Sequence, residues 1–218
     1  MKPLVLAAAV LRGLLEPGLV TILAATAFLA ACYSILAARL SSKEIAVVAT
    51  LGALSSAGRV AFAAVPSVQP STVLVILSGY VFGPGPGFLV GATTALVSNL
   101  FLGQGPWTVW QMLSWGAIGA LAGLLGRVVP VPRTSVLVAF SFAAGLGFSW
   151  LMNAWFWLSF VSPRTPATLA ATFAAGLWFD MLHAVGNALF ALIVSARAVR
   201  ILAGFRSRFR VTFTEVST

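Results

Sequence analysis

The chain has 218 residues, 60% of them hydrophobic and only 8% charged, with a mean hydropathy of +1.03. A soluble domain carries about 25% charged residues, so the composition excludes one and indicates an integral membrane protein. The net charge of +9 does not indicate a nucleic-acid partner, because five of the 13 basic residues (Arg197, Arg200, Arg206, Arg208, Arg210) follow directly on the last apolar run, where a cytoplasmic flank beside anionic lipid is expected.

The apolar runs are continuous blocks rich in Ala and Leu, not the alternating ten-residue segments of a membrane β-barrel. The expected architecture is an all-α integral membrane protein, a single bundle of about six or seven helices. The single cysteine, Cys32, lies in an apolar run and has no partner for an internal disulfide. The first 40 residues carry no cleavable-signal pattern, since no small-residue site is followed by a polar mature domain.

In chain order, Met1–Glu16 is weakly amphipathic and is expected to lie at the interface. Pro17 suits a helix start, where its missing N–H costs nothing. Gly18–Ala38 then forms a first span closed by Arg39. Ser41, Ser42, Lys43 and Glu44 read as the start of a second span, with a hydroxyl cap and an acid in the first turn. That span reaches Ala63 and places Ala49, Ala53 and Ala57 four apart on one face. Such a ridge lets another backbone approach closely, either inside the bundle or on a partner.

Pro66 and Pro70 prevent one straight helix from continuing. Ser71–Phe82 and Phe88–Leu102 then form a hairpin joined by the turn Gly83–Gly87. Both runs fall short of the roughly 20 residues a span prefers, so they must thin the bilayer, borrow corner residues or be buried by neighbours. The corners that bracket the hairpin, Val65–Pro70 and Gly103–Trp110, lie on the same membrane face. Val109–Leu125, a basic loop Arg127–Arg133, Ser135–Phe160, a proline corner Ser162–Pro166 and a long run from Ala167 to Val194 complete the chain.

Alternating the sides gathers Arg39, Lys43, Arg127, Arg133 and the five C-terminal arginines on one face, nine in all, against Lys2, Arg12, Arg59 and Arg164 on the other. The positive-inside rule makes the first face cytoplasmic. The C-terminus is then inside, and three proline-stiffened corners stand over the bundle from outside.

Polar residues within apolar runs are the functional candidates. Asp180, His183 and Asn187 are spaced three and four apart on one face of the last run. Asp180 pairs with Arg59 or His183, relays a proton or cation, or contacts solute. Arg59 either snorkels to the surface or meets an anionic group. Gln69, Asn99, Gln104, Gln111 and Asn153 are amides that need partners; near the outer ends of different helices they suit a solute rich in amides or hydroxyls. Trp107, Trp110 and Trp157 fit either a stacking surface or the interfacial aromatic belt, whereas Trp115 and Trp178 are expected in the core. No second histidine supports a metal site. There is no phosphate-cradling loop, carboxylate pair or HExxH, so the chain is not expected to be an enzyme or to hydrolyse ATP by itself.

Four segments, ATLGALSSAGR, GPGPG, NLFLGQGPWTVWQM and FDMLHAVGNALFA, make the chain resemble the substrate-binding S component of energy-coupling factor (ECF) vitamin transporters; the first-quoted helix motif is weak alone, and NLFLGQGPWTVWQM and FDMLHAVGNALFA are most similar to the cobalamin-type branch. The resemblance implies a six-helix substrate-binding core at 43–200, preceded by an extra helix within 1–42 and followed by a basic tail at 201–218. It implies an external pocket for a vitamin such as cobalamin, drawing on Arg59, Gln69, Asn99, Gln104, Trp107, Trp110, Gln111, Asn153, Trp157, Asp180, His183 and Asn187. It also implies that Ala49, Ala53 and Ala57 dock on a transmembrane coupling subunit joined to two ATPases, in the plasma membrane, without a cofactor. The extra helix departs from the plain six-helix plan. Two other readings remain at this point: a stand-alone carrier coupled to protons through Asp180 and His183, and a membrane scaffold that transports nothing.

Overall fold

The computed structural model describes residues 17–37 and 40–209. The expected interfacial segment before Pro17, the closing Arg39 and the end of the basic tail lie outside them. Seven helices account for nearly all of the described chain: α1 (Pro17–Ala37), α2 (Ser42–Ala61), α3 (Ser71–Phe82), α4 (Pro84–Leu102), α5 (Trp107–Val128), α6 (Thr134–Phe160) and α7 (Pro166–Phe209). No strand occurs among the described residues, and five of the helices are long and apolar enough to cross a membrane.

The second helix begins as its sequence dictates. Ser41 Oγ accepts from the Glu44 N–H at 3.3 Å, and the Glu44 carboxylate accepts from the Ser41 N–H at 2.8 Å. This reciprocal pair satisfies donors that a helix start leaves orphaned. Along α2 the buried positions are Val48, Leu51, Gly52, Ser55 and Ser56, a stripe at helical period. Ser56 donates to the Gly52 carbonyl and to Thr94 O of α4, and Ser55 donates to Ser71 O at the head of α3. Ala49, Ala53 and Ala57 face away and are exposed, so the ridge is not consumed by packing within the described chain.

The short third run is buried by its neighbours. Eleven of the 12 residues of α3 are buried, as expected of a helix that is apolar all round. It packs against α2, α4, α5, α6 and α7. The fourth run starts earlier than the hairpin reading had it: the reversal is made by Gly83 alone, at φ 103°, and α4 is already helical from Pro84. Proline at the first helical positions sacrifices no hydrogen bond, so Pro84-Gly85-Pro86-Gly87 forms a first turn and not a loop. That extends α4 to 19 residues. The crossing that fixes α3, α4 and α5 is backbone on backbone. A Cβ on Gly79 would lie 2.0 Å from Gly119 O, and a Cβ on Gly119 would lie 2.1 Å from Gly87 O.

The last helix is longer than its apolar run. At ~1.5 Å rise per residue its 44 residues extend ~66 Å, roughly twice the ~30 Å of a hydrocarbon core. Arg197, Arg200 and Arg206 therefore stand on the continuing helix. Arg206 Nη1 donates to Val81 O at 2.7 Å. A cavity of about 600 Å³ gathers Leu40, Gly83, Pro84, Arg127 and Arg206. The α1–α2 junction, the α3–α4 turn and the ends of α5 and α7 thus share one end of the bundle, the end where the basic residues were expected to collect.

Candidate solute-binding site

At the opposite end the polar residues of the apolar runs meet in one network. Arg59, in the last turn of α2, sends Nη1 to Ser98 Oγ at 2.7 Å and to Asn99 Oδ1 of α4. Asn99 is buried and bridges onward: its Nδ2 donates to Thr108 Oγ1 at 3.0 Å and to Gln111 Oε1 at 2.8 Å on α5. Thr108 donates to Gln104 Oε1 at 2.8 Å, and Gln104 Nε2 donates to Leu96 O at 3.1 Å. The corner Gly103–Pro106 is thereby fastened to the site from both sides. Networks of this kind hold geometry well when each member is satisfied.

The guanidinium of Arg59 lies over the ring of Trp115, 5.0 Å from its centroid, a cation–π distance. Trp115 is buried as expected, and its Nε1–H donates to Thr72 Oγ1 at 3.0 Å. The same hydroxyl lies 3.3 Å from His183 Nε2, and His183 Nδ1 lies 2.9 Å from Ser67 O in the first corner. Phe148 stacks on Trp115 with centroids 4.5 Å apart and leans on His183 at 5.3 Å. Residues from α2, α3, α4, α5, α6 and α7 thus converge on one cation and one aromatic wall. Asn187, one turn from His183, is fully buried, and neither its Oδ1 nor its Nδ2 has a hydrogen-bond partner. A buried amide with both ends unpaired is rare.

The structure brings Arg59, Asn99, Gln104, Gln111 and His183 together but distributes the other candidates. Asp180 pairs with neither Arg59 nor His183: its Oδ2 accepts from Asn153 Nδ2 of α6 at 2.9 Å. Asn153 also lines a second cavity of about 740 Å³ between α6 and α7, together with Phe156, Thr168, Thr172, Gly176 and Phe179. Trp157 donates to Thr168 Oγ1 at 3.0 Å in the α6–α7 corner. Trp107 lies against Gly105 and is exposed, as is Trp110, while Gln69 is half-buried in the first corner. Trp178, expected in the core, is 70% exposed; it stands ~200° around the helix from Asp180 and therefore on the outer face. No group of three or more His, Cys, Asp or Glu side chains fit to hold a metal occurs among the described residues. Thr72, Ser98 and Thr108 were not singled out in the sequence. Their one signal is a hydroxyl inside an apolar run.

A model of the ECF transporter substrate-specific component matches residues 43–195, which spans α2 through most of the membrane part of α7. The chain belongs to this family. The family is one of substrate-specific transport components, and the five long apolar helices among the described residues fit a multi-pass membrane protein. Such components work with ECF transmembrane and ATPase subunits. Among curated proteins the chain is similar to a UPF0397 protein of Vibrio atlanticus, 35% identical over 89 residues covering 38% of this chain and 48% of that protein. It is likewise similar to UPF0397 proteins of Aliivibrio fischeri and Aliivibrio salmonicida, each 33% identical over 90 residues covering 39% of this chain and 49% of theirs. The S component thus spans about half the length of the curated relatives it matches. No solved structure matches it.

Proposed function

We propose that this S component binds a vitamin-like ring compound at the Arg59–Trp115–His183 cluster, from the outside of the plasma membrane, and that cobalamin or a related corrinoid is the solute. The observation that carries the reading is the convergence itself: a cation, amides and an aromatic wall from six helices meet at the end away from the basic face. Trp115 and Phe148 offer a flat apolar wall, and Asn99, Gln104, Gln111 and the open amide of Asn187 complement an amide fringe. A ligand site of drug size occupies about 300–1,000 Å³, and a corrinoid lies above that range. The corners at Val65–Pro70 and Gly103–Trp110 must therefore swing open to admit it, and Gln69, Trp107 and Trp110 line the way in. Asn153 lines the 740 Å³ cavity between α6 and α7, and Asp180 and Trp157 hold two of its lining residues, Asn153 and Thr168, so these three would extend the site toward the third corner.

The basic end faces the cytoplasm in this reading, with the C-terminus inside. Ala49, Ala53 and Ala57 form the smooth face that a transmembrane coupling subunit grips, and two ATPases supply the energy through it. Delivery occurs by toppling of the loaded bundle in the membrane. The proton-coupled reading has less support, because Asp180 and His183 address different partners and form no relay with each other.

Mass spectrometry of small molecules retained by the purified chain, followed by calorimetry with cyanocobalamin, tests the proposal. Retention of a corrinoid, with binding weakened about tenfold or more by Gln104→Ala combined with Trp107→Ala, is expected. A chain that retains nothing and binds nothing from a panel of vitamins is a scaffold, not a carrier subunit.

A further inference from the structure

One edge of the Arg59 guanidinium is left without an acceptor. Nη1, the nitrogen on the Cδ side, is held by Ser98 and Asn99, and the plane is steadied by Trp115. Nε is shut off from solvent and has no acceptor. Nε–H and the adjacent Nη2–H point the same way, which is the two-donor fork that matches a carboxylate or phosphate.

No acid of the described chain fills that fork. Of the four acidic residues, Glu44 caps the far end of α2 and Asp180 is taken by Asn153; Glu16 and Glu215 lie outside the described residues. A cation withdrawn from water without a counter-charge is costly, more so within a membrane span. Here the surroundings fix its orientation and do not neutralise it. Ser98 donates its own proton to Thr94 O at 2.6 Å, so its oxygen is turned to accept from Arg59. Asn99 has its amide nitrogen engaged by Thr108 and Gln111, which presents its carbonyl to the same Nη1. Every neighbour on the closed edge is a neutral acceptor held in place from behind.

We infer that the solute carries an anionic group, a carboxylate or a phosphate, and seats it on the Nε–Nη2 edge of Arg59. The inference rests on reading the cluster as the solute site, and it narrows that reading to solutes that bear such a group, cobalamin's phosphodiester among them. Ring compounds without an anionic group leave the fork empty and bind less well than counterparts that carry one.

The test uses the full chain in neutral phosphatidylcholine nanodiscs. Thermal unfolding is followed in sodium phosphate, sodium acetate or sodium chloride at matched ionic strength, for wild type, R59K and R59Q. Phosphate or acetate is expected to raise the melting temperature of wild type where chloride does not, and the more effective anion separates a phosphate seat from a carboxylate seat. R59K, a point charge without the fork, should need at least tenfold more anion for half the effect, and R59Q should show none. Equal shifts in wild type and R59Q, or no shift in wild type, would overturn the inference. Should R59Q fail to fold, phenylglyoxal modification of Arg59 in wild type replaces it: protection by the effective anion is expected, and modification at an unchanged rate contradicts the fork. A neutral solute retained on purification and bound equally by wild type and R59K would also overturn the inference while leaving the solute-binding role standing.

Discussion

Asn99 is 1% exposed and uses both ends of its amide, accepting from Arg59 and donating to Thr108 and Gln111. Replacing it with leucine keeps the branching and the number of heavy atoms and removes all three bonds at once. Asn99→Leu is expected to destabilise the bundle by about 3 kcal/mol, since a charged donor and two polar groups lose a buried partner; unfolding in a detergent titration measures it. Thr72→Val is a smaller change of the same kind. It removes the acceptor of the Trp115 N–H and the hydroxyl beside His183, and should cost about 1–3 kcal/mol. The amides of this site were legible in the sequence because an amide in an apolar run has no easy local partner. The hydroxyls were not. A serine or threonine in a helix satisfies itself on the carbonyl one turn back, as Ser98 and Thr94 do here, so its presence alone announces nothing. Trp115 was placed correctly in the core, but its second role, as the face beneath Arg59, depends on a contact between residues 56 positions apart.

Among the elements, α5 carries the tightest constraint. Gly119 touches the backbones of α3 and α4 together, so Gly119→Val should prevent the three helices from closing and yield no monodisperse protein on size-exclusion chromatography. Gly204→Ala, with open space around it, should elute as wild type does. The exposed ridge of α2 makes the opposite prediction. Ala53→Trp adds bulk on the free face and should leave solute affinity unchanged while abolishing uptake that depends on partner subunits; equal loss of both would remove the ridge from the docking role. The helices themselves were readable from their apolar runs, and the start of α2 from Ser41 and Glu44. Two boundaries were not. Pro84 falls in the turn expected at Gly83–Gly87, yet proline is at ease in a first helical turn. The last apolar run ends at Val194, yet arginine is a good helix former and carries the helix on to Phe209.

At the scale of the whole molecule, the bundle has two unlike ends. One collects arginines around the α3–α4 turn; the other collects an aromatic wall and amides around a cation. Labelling in cells should find Gln104→Cys and Arg164→Cys accessible from outside and Arg133→Cys protected, each in a Cys32→Ala background. Finding Gln104 and Arg164 on opposite surfaces would break the three-corner arrangement. The helical bundle follows from the sequence pattern, and the family from the four segments that resemble it. The division of the polar residues into an Arg59 cluster and a separate Asp180–Asn153 pair does not, because helical spacing places Asp180 and His183 on one face without saying which neighbouring helix each one meets. The most direct measurement of the central claim is solute uptake into sealed proteoliposomes, with this chain alone or with its coupling subunit and ATPases. Uptake that requires ATP and all the partners, and ignores an imposed pH gradient, is predicted; uptake by the chain alone driven by that gradient would contradict it.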